Sequence, residues 1–393
     1  MRILVLSTWF PYPPDNGSKI RAHYLARALG DKHEVTLIAF RPDKPAAADL
    51  PANIKVIDVP ADPFRHVNLP QWIKYVSPIP LAFWPSRKMQ EAVDRANRNT
   101  TWDVVVAIQT PVAQYATRVR GAARVLDIDT SFSYQMYQRH GRQTGLRTWL
   151  SWRKTHGYES RVVSRFHACT VVSSDEVDFV RSMTGKTACR VQVVPNGVDC
   201  QFHQAGQYPT RPNTLIYNGA LTYSANYDAM QFFLSEVYPR LRSQVPDVSL
   251  TITGSTAGVD RSGLQLDDSV HFSGYVEDIR PIVGSADVCV VPIRQGSGTR
   301  LKILEAMALG VPVVSTGKGA EGLDVTDGQH VLIADDPAEF VARTYAVLND
   351  TALRQRLILQ ARQLVEQRYD WHTVGQQFVR LVESAANNHE QRP

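Results

Sequence analysis

A chain of 393 residues has room for two or three domains. Its 44% hydrophobic and 21% charged content fits a soluble globular protein and excludes a disordered or fibrous one. The net charge of +5 suits acidic ligands or surfaces but is too mild to argue for nucleic acid.

The opening residues, Met1-Arg-Ile-Leu-Val-Leu-Ser-Thr-Trp-Phe10, run straight into Pro11, Pro13 and Pro14. That is a first strand and loop rather than a signal peptide. No run approaches the roughly 20 apolar residues of a spanning helix. Cys169, Cys189, Cys200 and Cys289 lack paired metal spacing and fit a reducing cytosol better than a disulfide framework. Apolar strand candidates follow at 2–6, 34–40, 55–59, 103–108, 124–128, 168–172 and 191–194, with helical patterns such as 20–29 and 87–97 between them. Such alternation predicts parallel sheets covered by helices. The segment Val194-Pro-Asn-Gly-Val-Asp199 reads as strand end and turn, and the polar stretch after it, with Pro209 and Pro212, as a linker. A second series lies at 214–217, 249–253, 270–272, 288–291, 311–315 and 330–333, before a terminal helix over 371–386.

The expected fold class is therefore α/β, with two doubly wound Rossmann-like domains facing a central cleft. Their bounds are 1–200 and 201–370, and a helix in 371–393 crosses back to the first. Ligands in such sheets sit beyond the C-terminal strand ends, so the cleft is the expected site.

The segment 288–314 is the most informative. It reads as a buried strand, the loop Gly296-Ser-Gly-Thr299, a short helix closed by Gly310 and Pro312, and a second buried strand. A helix opened by small residues presents free N–H groups and the positive end of its dipole to an anion. Arg300 and Lys302 fall in the expected first turn, where cations oppose the dipole unless an anion is bound. Glu305 follows one turn after Lys302, on the same face. Cations for phosphate and a carboxylate for ribose hydroxyls suit a nucleotide. An ordinary surface helix with a Lys–Glu pair would carry the same letters.

Further motifs extend this pattern along nearly the whole chain. They are Pro14-Asp-Asn-Gly-Ser-Lys-Ile-Arg21 with His33-Glu-Val35, Pro195-Asn-Gly-Val-Asp199, Asn218-Gly-Ala220 with Asn226-Tyr-Asp-Ala229, Thr253-Gly254, Phe272-Ser-Gly-Tyr-Val-Glu-Asp278, Lys302-Ile-Leu-Glu-Ala-Met-Ala308, Gly319-Ala-Glu-Gly322 and Tyr369-Asp-Trp371. In this order and spacing they resemble the retaining GT-B glycosyltransferases of family 4, in the flavour of the exopolysaccharide sugar transferases.

The resemblance implies a hexosyltransferase that moves a sugar from a UDP- or GDP-linked donor to a glycan or polyprenyl-diphosphate-linked acceptor. It implies retention of configuration and no metal or other cofactor. The first domain would bind the acceptor and the second the nucleotide sugar. Glu305 becomes the ribose carboxylate, and Tyr275 and Val276 lie where the family holds the base. Two departures matter. The family pairs two Glu residues eight positions apart, but the earlier position here is Ser297. The usual basic pair after the first C-domain strand is also missing, since the region 219–227 contains neither Arg nor Lys. A diphosphate without cations would be poorly held in a closed site. Arg300 and Lys302, helped by the N–H groups of Ser297, Gly298 and Thr299, are expected to supply that charge. A solvated surface role is the alternative for both cations.

In the first domain, Gly17 and Ser18 lie on the loop that approaches the donor in the family, with Asn16 where another Gly is common. Arg21 either reaches the same phosphate or sits on the helix surface. Gln109 and Asp129 follow two strands at positions where relatives often carry His. Asp129 is the candidate acceptor-orienting or proton-transfer group, and capping of the next helix is its alternative. Asp127-Ile-Asp129 also spells the metal motif of a different transferase fold, but Asp127 falls inside the strand pattern, which argues against a metal.

A basic aromatic region spans 131–167, with Arg139, Arg142, Arg147, Arg153, Lys154, Arg161 and Arg165 against Glu159, interleaved with Tyr134, Tyr137, Trp149 and Trp152. The stretch 64–88 adds Trp72, Tyr75, Phe83, Trp84, Arg87 and Lys88. Cations mixed with Trp and Tyr suit an anionic membrane surface, placing the chain in the cytoplasm at the inner face of the membrane, with no nucleic-acid partner. The competing functions are a non-catalytic GT-B partner subunit, favoured by the missing Glu and basic pair, and a sugar-nucleotide 2-epimerase, disfavoured by the Asn-Gly-Val-Asp and Lys-Ile-Leu-Glu-Ala segments.

Overall fold

The computed structural model describes residues 1–41, 53–64, 77, 79–140, 145–185, 189–296 and 300–390. The chain divides into two compact units, Met1–Pro195 with His372–Pro393, and Asn196–Trp371.

In the first unit the described strands are β1 (Arg2–Ser7), β2 (Glu34–Phe40), β3 (Ile54–Val59), β4 (Val104–Ile108), β5 (Ala123–Asp127), β6 (Ala168–Val171) and β7 (Arg190–Val193). They form one sheet in the order β3-β2-β1-β4-β5-β6-β7. Every pairing is parallel, with Ile3 set between Val35 and Val104. The reason is legible in the residues. Val104-Val-Val-Ala-Ile108 is buried along its whole length, as a strand covered by helices on both faces must be. The helix Gly17–Gly30 packs on this sheet, and its start is fixed by Asn16, whose side chain accepts from the Lys19 N–H.

The second unit repeats the plan with β8 (Thr214–Asn218), β9 (Ser249–Thr253), β10 (Val270–Gly274), β11 (Val288–Val291), β12 (Val313–Ser315) and β13 (Leu332–Ile333). Their order is β10-β9-β8-β11-β12-β13, again with parallel pairings. In both sheets the order reverses beside the first strand of the unit, which creates a crevice at its C-terminal end. The final helix, Trp371–Glu390, belongs to the first unit from His372 onward. There Gln377 donates to the Val193 carbonyl at 2.8 Å and Glu383 faces His33 at 3.2 Å.

The stretch after Asp199 is not a free linker. Arg362 donates to the carbonyls of Cys200 at 3.0 Å and His203 at 2.6 Å, and the Arg211 N–H donates to the Ser285 carbonyl at 2.9 Å. Its polar, proline-bearing composition looks like linker because its backbone groups, rather than apolar side chains, make these contacts.

Candidate functional site

In the second unit, β8 ends at Asn218, beside the helix Leu301–Ala308. Arg300 is the N-cap position of that helix, one place before the first turn in which the sequence pattern puts it. It is 6% exposed, and its Nη2 donates to the Gly296 carbonyl at 3.1 Å. A solvated surface role for Arg300 is thereby excluded. Ser297, Gly298 and Thr299 lie outside the described residues.

Lys302 and Glu305 turn toward the end of β8. The Lys302 Nζ lies 3.9 Å over the Tyr217 ring and donates to Asn226 Oδ1 at 3.2 Å. Asn226 is itself held, accepting from the Tyr217 hydroxyl at 2.7 Å and donating to the Ala220 carbonyl at 2.8 Å. Glu305 Oε2 accepts from Asn218 Nδ2 at 2.8 Å. Burial pushes the Lys302 ammonium down to about 7, reinforced by the Arg300 charge and opposed by Cys289 and Glu305. Burial also raises Glu305, against the pull of His203, Lys302 and the Asn218 hydrogen bond. Burial lowers Arg300. A buried Arg300 and a half-buried Lys302 thus share one helix start, with Glu305 one turn further on. An anion there would stabilise both cations.

The ammonium also fills the space beside Gly219, where a β-carbon would stand 2.6 Å from Lys302 Nζ. So the helix delivers a cation to the turn after β8, the region that contains no basic residue of its own. At the end of β10, Gly274 adopts φ 67° and leads to Tyr275, 71% exposed, and Val276, half-buried. Tyr217, Asn218, Asn226 and His203 are the neighbours whose roles sequence reasoning misses. Asn218 and Asn226 lie in the quoted motifs, but nothing in their spacing shows that they brace Lys302 and Glu305.

In the first unit, three predicted residues come together. Gln109 Nε2 donates to Ser18 Oγ at 2.7 Å and to Asp129 Oδ2 at 3.2 Å, and Ser18 Oγ lies 3.4 Å from the same Asp129 oxygen. Gly17 opens the helix that carries Ser18. Gln109 and Asp129 extend past β4 and β5 with backbone φ of 72° and 60°, the left-handed region that non-glycine residues seldom occupy. Such strain collects at functional sites. At the start of the next helix, Phe132–His140, Ser131 Oγ accepts from the Tyr134 N–H at 3.2 Å, a capping bond.

Arg21 is elsewhere. It is fully buried, with Nε and Nη2 on the two Asp127 oxygens at 2.9 and 2.6 Å, and Nη1 and Nη2 on the carbonyls of Pro195 and Val194. The surface role is overturned, and the guanidinium is committed to Asp127 rather than to a phosphate. Asp127 also accepts from Thr170 Oγ1 at 2.5 Å, so the first carboxylate of the DxD sequence is spent internally.

The basic aromatic region separates into inside and outside. Tyr158 is 6% exposed and stacks on Phe83 at 4.6 Å, and the Trp152 indole donates to the Ser133 carbonyl at 3.1 Å. On the helix Leu146–Val163, Leu146, Trp149 and Leu150 are exposed beside Arg147 and Arg153. Glu159, the lone acid of the pattern, is 1% exposed and so balances none of that outer charge. Trp72, Tyr75 and Arg142 lie outside the described residues. Among the described residues, no helix is long and apolar enough to cross a membrane.

Residues 15–202 match the family model described as Glycosyltransferase Family 4, and residues 212–350 match Glycosyl transferases group 1. A glycogen synthase of Mycobacterium tuberculosis is 26% identical over 416 residues, covering 100% of this chain and 97% of the relative. A phosphatidyl-myo-inositol mannosyltransferase of the same species is 28% identical over 265 residues, covering 58% and 69%. The sucrose-phosphate synthase of Thermosynechococcus elongatus superposes with a TM-score of 0.75 at 17% identity, covering 99% of this chain and 100% of that one. The HepE protein of Anabaena, solved with UDP-glucose, gives 0.65 at 15% identity, covering 98% and 100%. Two doubly wound parallel sheets of this order, with these structural neighbours, define the GT-B fold. The chain belongs to the family 4 glycosyltransferases.

Proposed function

We propose that this protein transfers a hexose from a nucleotide-diphosphate sugar to a glycan or lipid-linked acceptor, with retention and without a metal. The observation that carries this reading is the Lys302 ammonium beside Gly219, one helical turn from Glu305. Arg300 and Lys302 hold the diphosphate in place of the missing basic pair, Glu305 takes the ribose hydroxyls, and Tyr275 and Val276 flank the base. Arg300 is already desolvated and Lys302 partly so, and their attraction for phosphate is stronger than it would be in water. The leaving diphosphate, rather than a protein nucleophile, accepts the acceptor's proton, and catalysis is mainly positioning and charge stabilisation. Gln109 and Asp129 orient the acceptor hydroxyl, and Gly17 and Ser18 approach the donor, with Gly17 allowing close backbone approach.

A UDP- or GDP-linked donor is consistent with a relative named as a mannosyltransferase and a structural neighbour solved with UDP-glucose. The exposed Leu146, Trp149 and Leu150 with Arg147 and Arg153 support a peripheral contact with an anionic membrane, and hence a lipid-linked acceptor in exopolysaccharide or glycolipid synthesis. A thermal-shift panel of nucleotide sugars, followed by hydrolysis of the stabilising ones and NMR of the product anomer, tests the proposal. Titration with UDP and GDP that shows binding to neither would favour the partner-subunit reading instead.

A further inference from the structure

Two buried carboxylates grip the turn that carries Asp129, and they are unequal. Glu159, 1% exposed, accepts from Phe132 N and Ser133 N at 3.0 Å each, from Ser131 Oγ at 2.8 Å and from Ser133 Oγ at 2.5 Å. Glu176, 2% exposed and on the segment after β6, accepts from Ser131 N at 3.3 Å. A carboxylate with four donors can stay ionised in the interior, whereas one with a single long hydrogen bond cannot easily do so. The same turn places Asp129 two residues before Ser131, and Asp129, Glu159 and Asp175 all oppose a negative charge on Glu176. The cation facing this group is Arg21, already paired with Asp127.

We propose that Glu176 is a positioning residue for transfer: a carboxyl that ties down the turn from which Asp129 faces Ser18 and Gln109. The division of roles between two carboxyls by their surroundings is a general device for placing charge where chemistry needs it. This inference rests on the reading that Asp129 serves the acceptor. Burial and the neighbouring carboxylates push Glu176 up to about 8. Ionisation would then set a second negative charge beside Asp129 and loosen the turn.

The sign of the linked stability effect follows. A carboxyl raised from 4.5 to about 8 stabilises the fold at low pH, and that contribution is lost as pH rises through this window. Urea unfolding of the full chain between about pH 5 and 9 should show this decline in the wild type and a flatter profile in E176Q. Turnover of the responsive nucleotide sugar should fall severalfold above about pH 8 in the wild type, in kcat rather than donor KM. E176Q, which still bonds Ser131, should keep turnover at neutral pH and lose that alkaline fall, whereas E176A should lose roughly tenfold in kcat at every pH. An unchanged alkaline limb together with an unchanged stability profile in E176Q overturns the proposal. If E176Q does not fold, infrared titration of a Glu305→Gln variant decides: a carboxylic-acid band that disappears near pH 8 supports the proposal, and its absence overturns it. D129N reports separately. Full transfer by D129N removes the acceptor reading of Asp129, while loss of transfer with a pH-independent E176Q stability difference removes the role of Glu176 alone.

Discussion

Gln109 donates its amide to the Ser18 hydroxyl at 2.7 Å while its own backbone is held at φ 72°, ψ 149°. That backbone region belongs to glycine and costs another residue about 1–3 kcal/mol. Replacement by glycine gives back roughly 0.5–1 kcal/mol as unfolded-chain entropy. With two side-chain hydrogen bonds also lost, Gln109→Gly should leave stability within about 1 kcal/mol of the wild type in urea unfolding while slowing transfer about tenfold. A variant that is both less stable and fully active would show that the strain serves nothing.

Lys302 makes nucleotide binding sensitive to pH. The ammonium is lowered from 10.5 to about 7, so above neutrality the empty site is partly uncharged. A diphosphate recharges it, and binding should take up protons, seen as calorimetric enthalpies that vary with the buffer. Affinity for UDP or GDP should fall as pH rises above about 7, by at most tenfold per unit. The empty protein follows the opposite trend: a depressed lysine costs stability when charged, so this contribution improves between about 7 and 10.5. Lys302→Met should abolish the proton uptake; unaltered uptake would assign it to another group.

The Arg21–Asp127 pair is a structural commitment. Arg21→Met leaves a buried carboxylate with Thr170 as its remaining side-chain partner named above, and should cost about 3–5 kcal/mol by urea unfolding. Arg21→Met with Asp127→Leu should recover a large part of that loss, because no lone charge remains. The carbonyls of Val194 and Pro195 would still lack their donor, so recovery should be incomplete. A double variant no better than the single one would refute the ion-pair account.

The face of the helix Leu146–Val163 predicts salt-sensitive adsorption. Each cation near an anionic leaflet contributes about 1 kcal/mol, so Arg147→Gln with Arg153→Gln should weaken flotation with anionic liposomes by about 30-fold. Trp149→Ala should weaken it in a way that salt does not mimic. Flotation on neutral and anionic vesicles alike would point to insertion by apolar residues alone.

Much of the fold is legible in the residues because parallel strands buried on both faces, such as Val104-Val-Val-Ala-Ile108, leave continuous apolar runs. The first helix starts at Gly17, ahead of the expected 20–29, so Gly17 and Ser18 form its first turn rather than a loop. The reason is Asn16, whose side chain accepts from the Lys19 N–H and caps the helix there. The site is legible only in part. Glu305 and Lys302 stand out by spacing, but their braces Asn218 and Asn226 come from another element, and polar neighbours across a fold leave no local period. Arg21 misleads for the same reason: a basic residue near a glycine loop suggests phosphate, while its partner lies 106 residues away. Glu176 escapes notice because a glutamate in a short polar run normally faces water.

The contact between Lys302 and Gly219 also governs what the turn after β8 can become. A β-carbon at 219 would collide with the ammonium at 2.6 Å and with Asn226 Nδ2 at 2.9 Å. No side chain can enter there while the helix keeps its lysine extended. Any side chain at 219 must shift the Lys302 ammonium, so a change that adds no charge of its own would still move a cation in the site. Position 219 therefore behaves as an electrostatic determinant although glycine bears no charge.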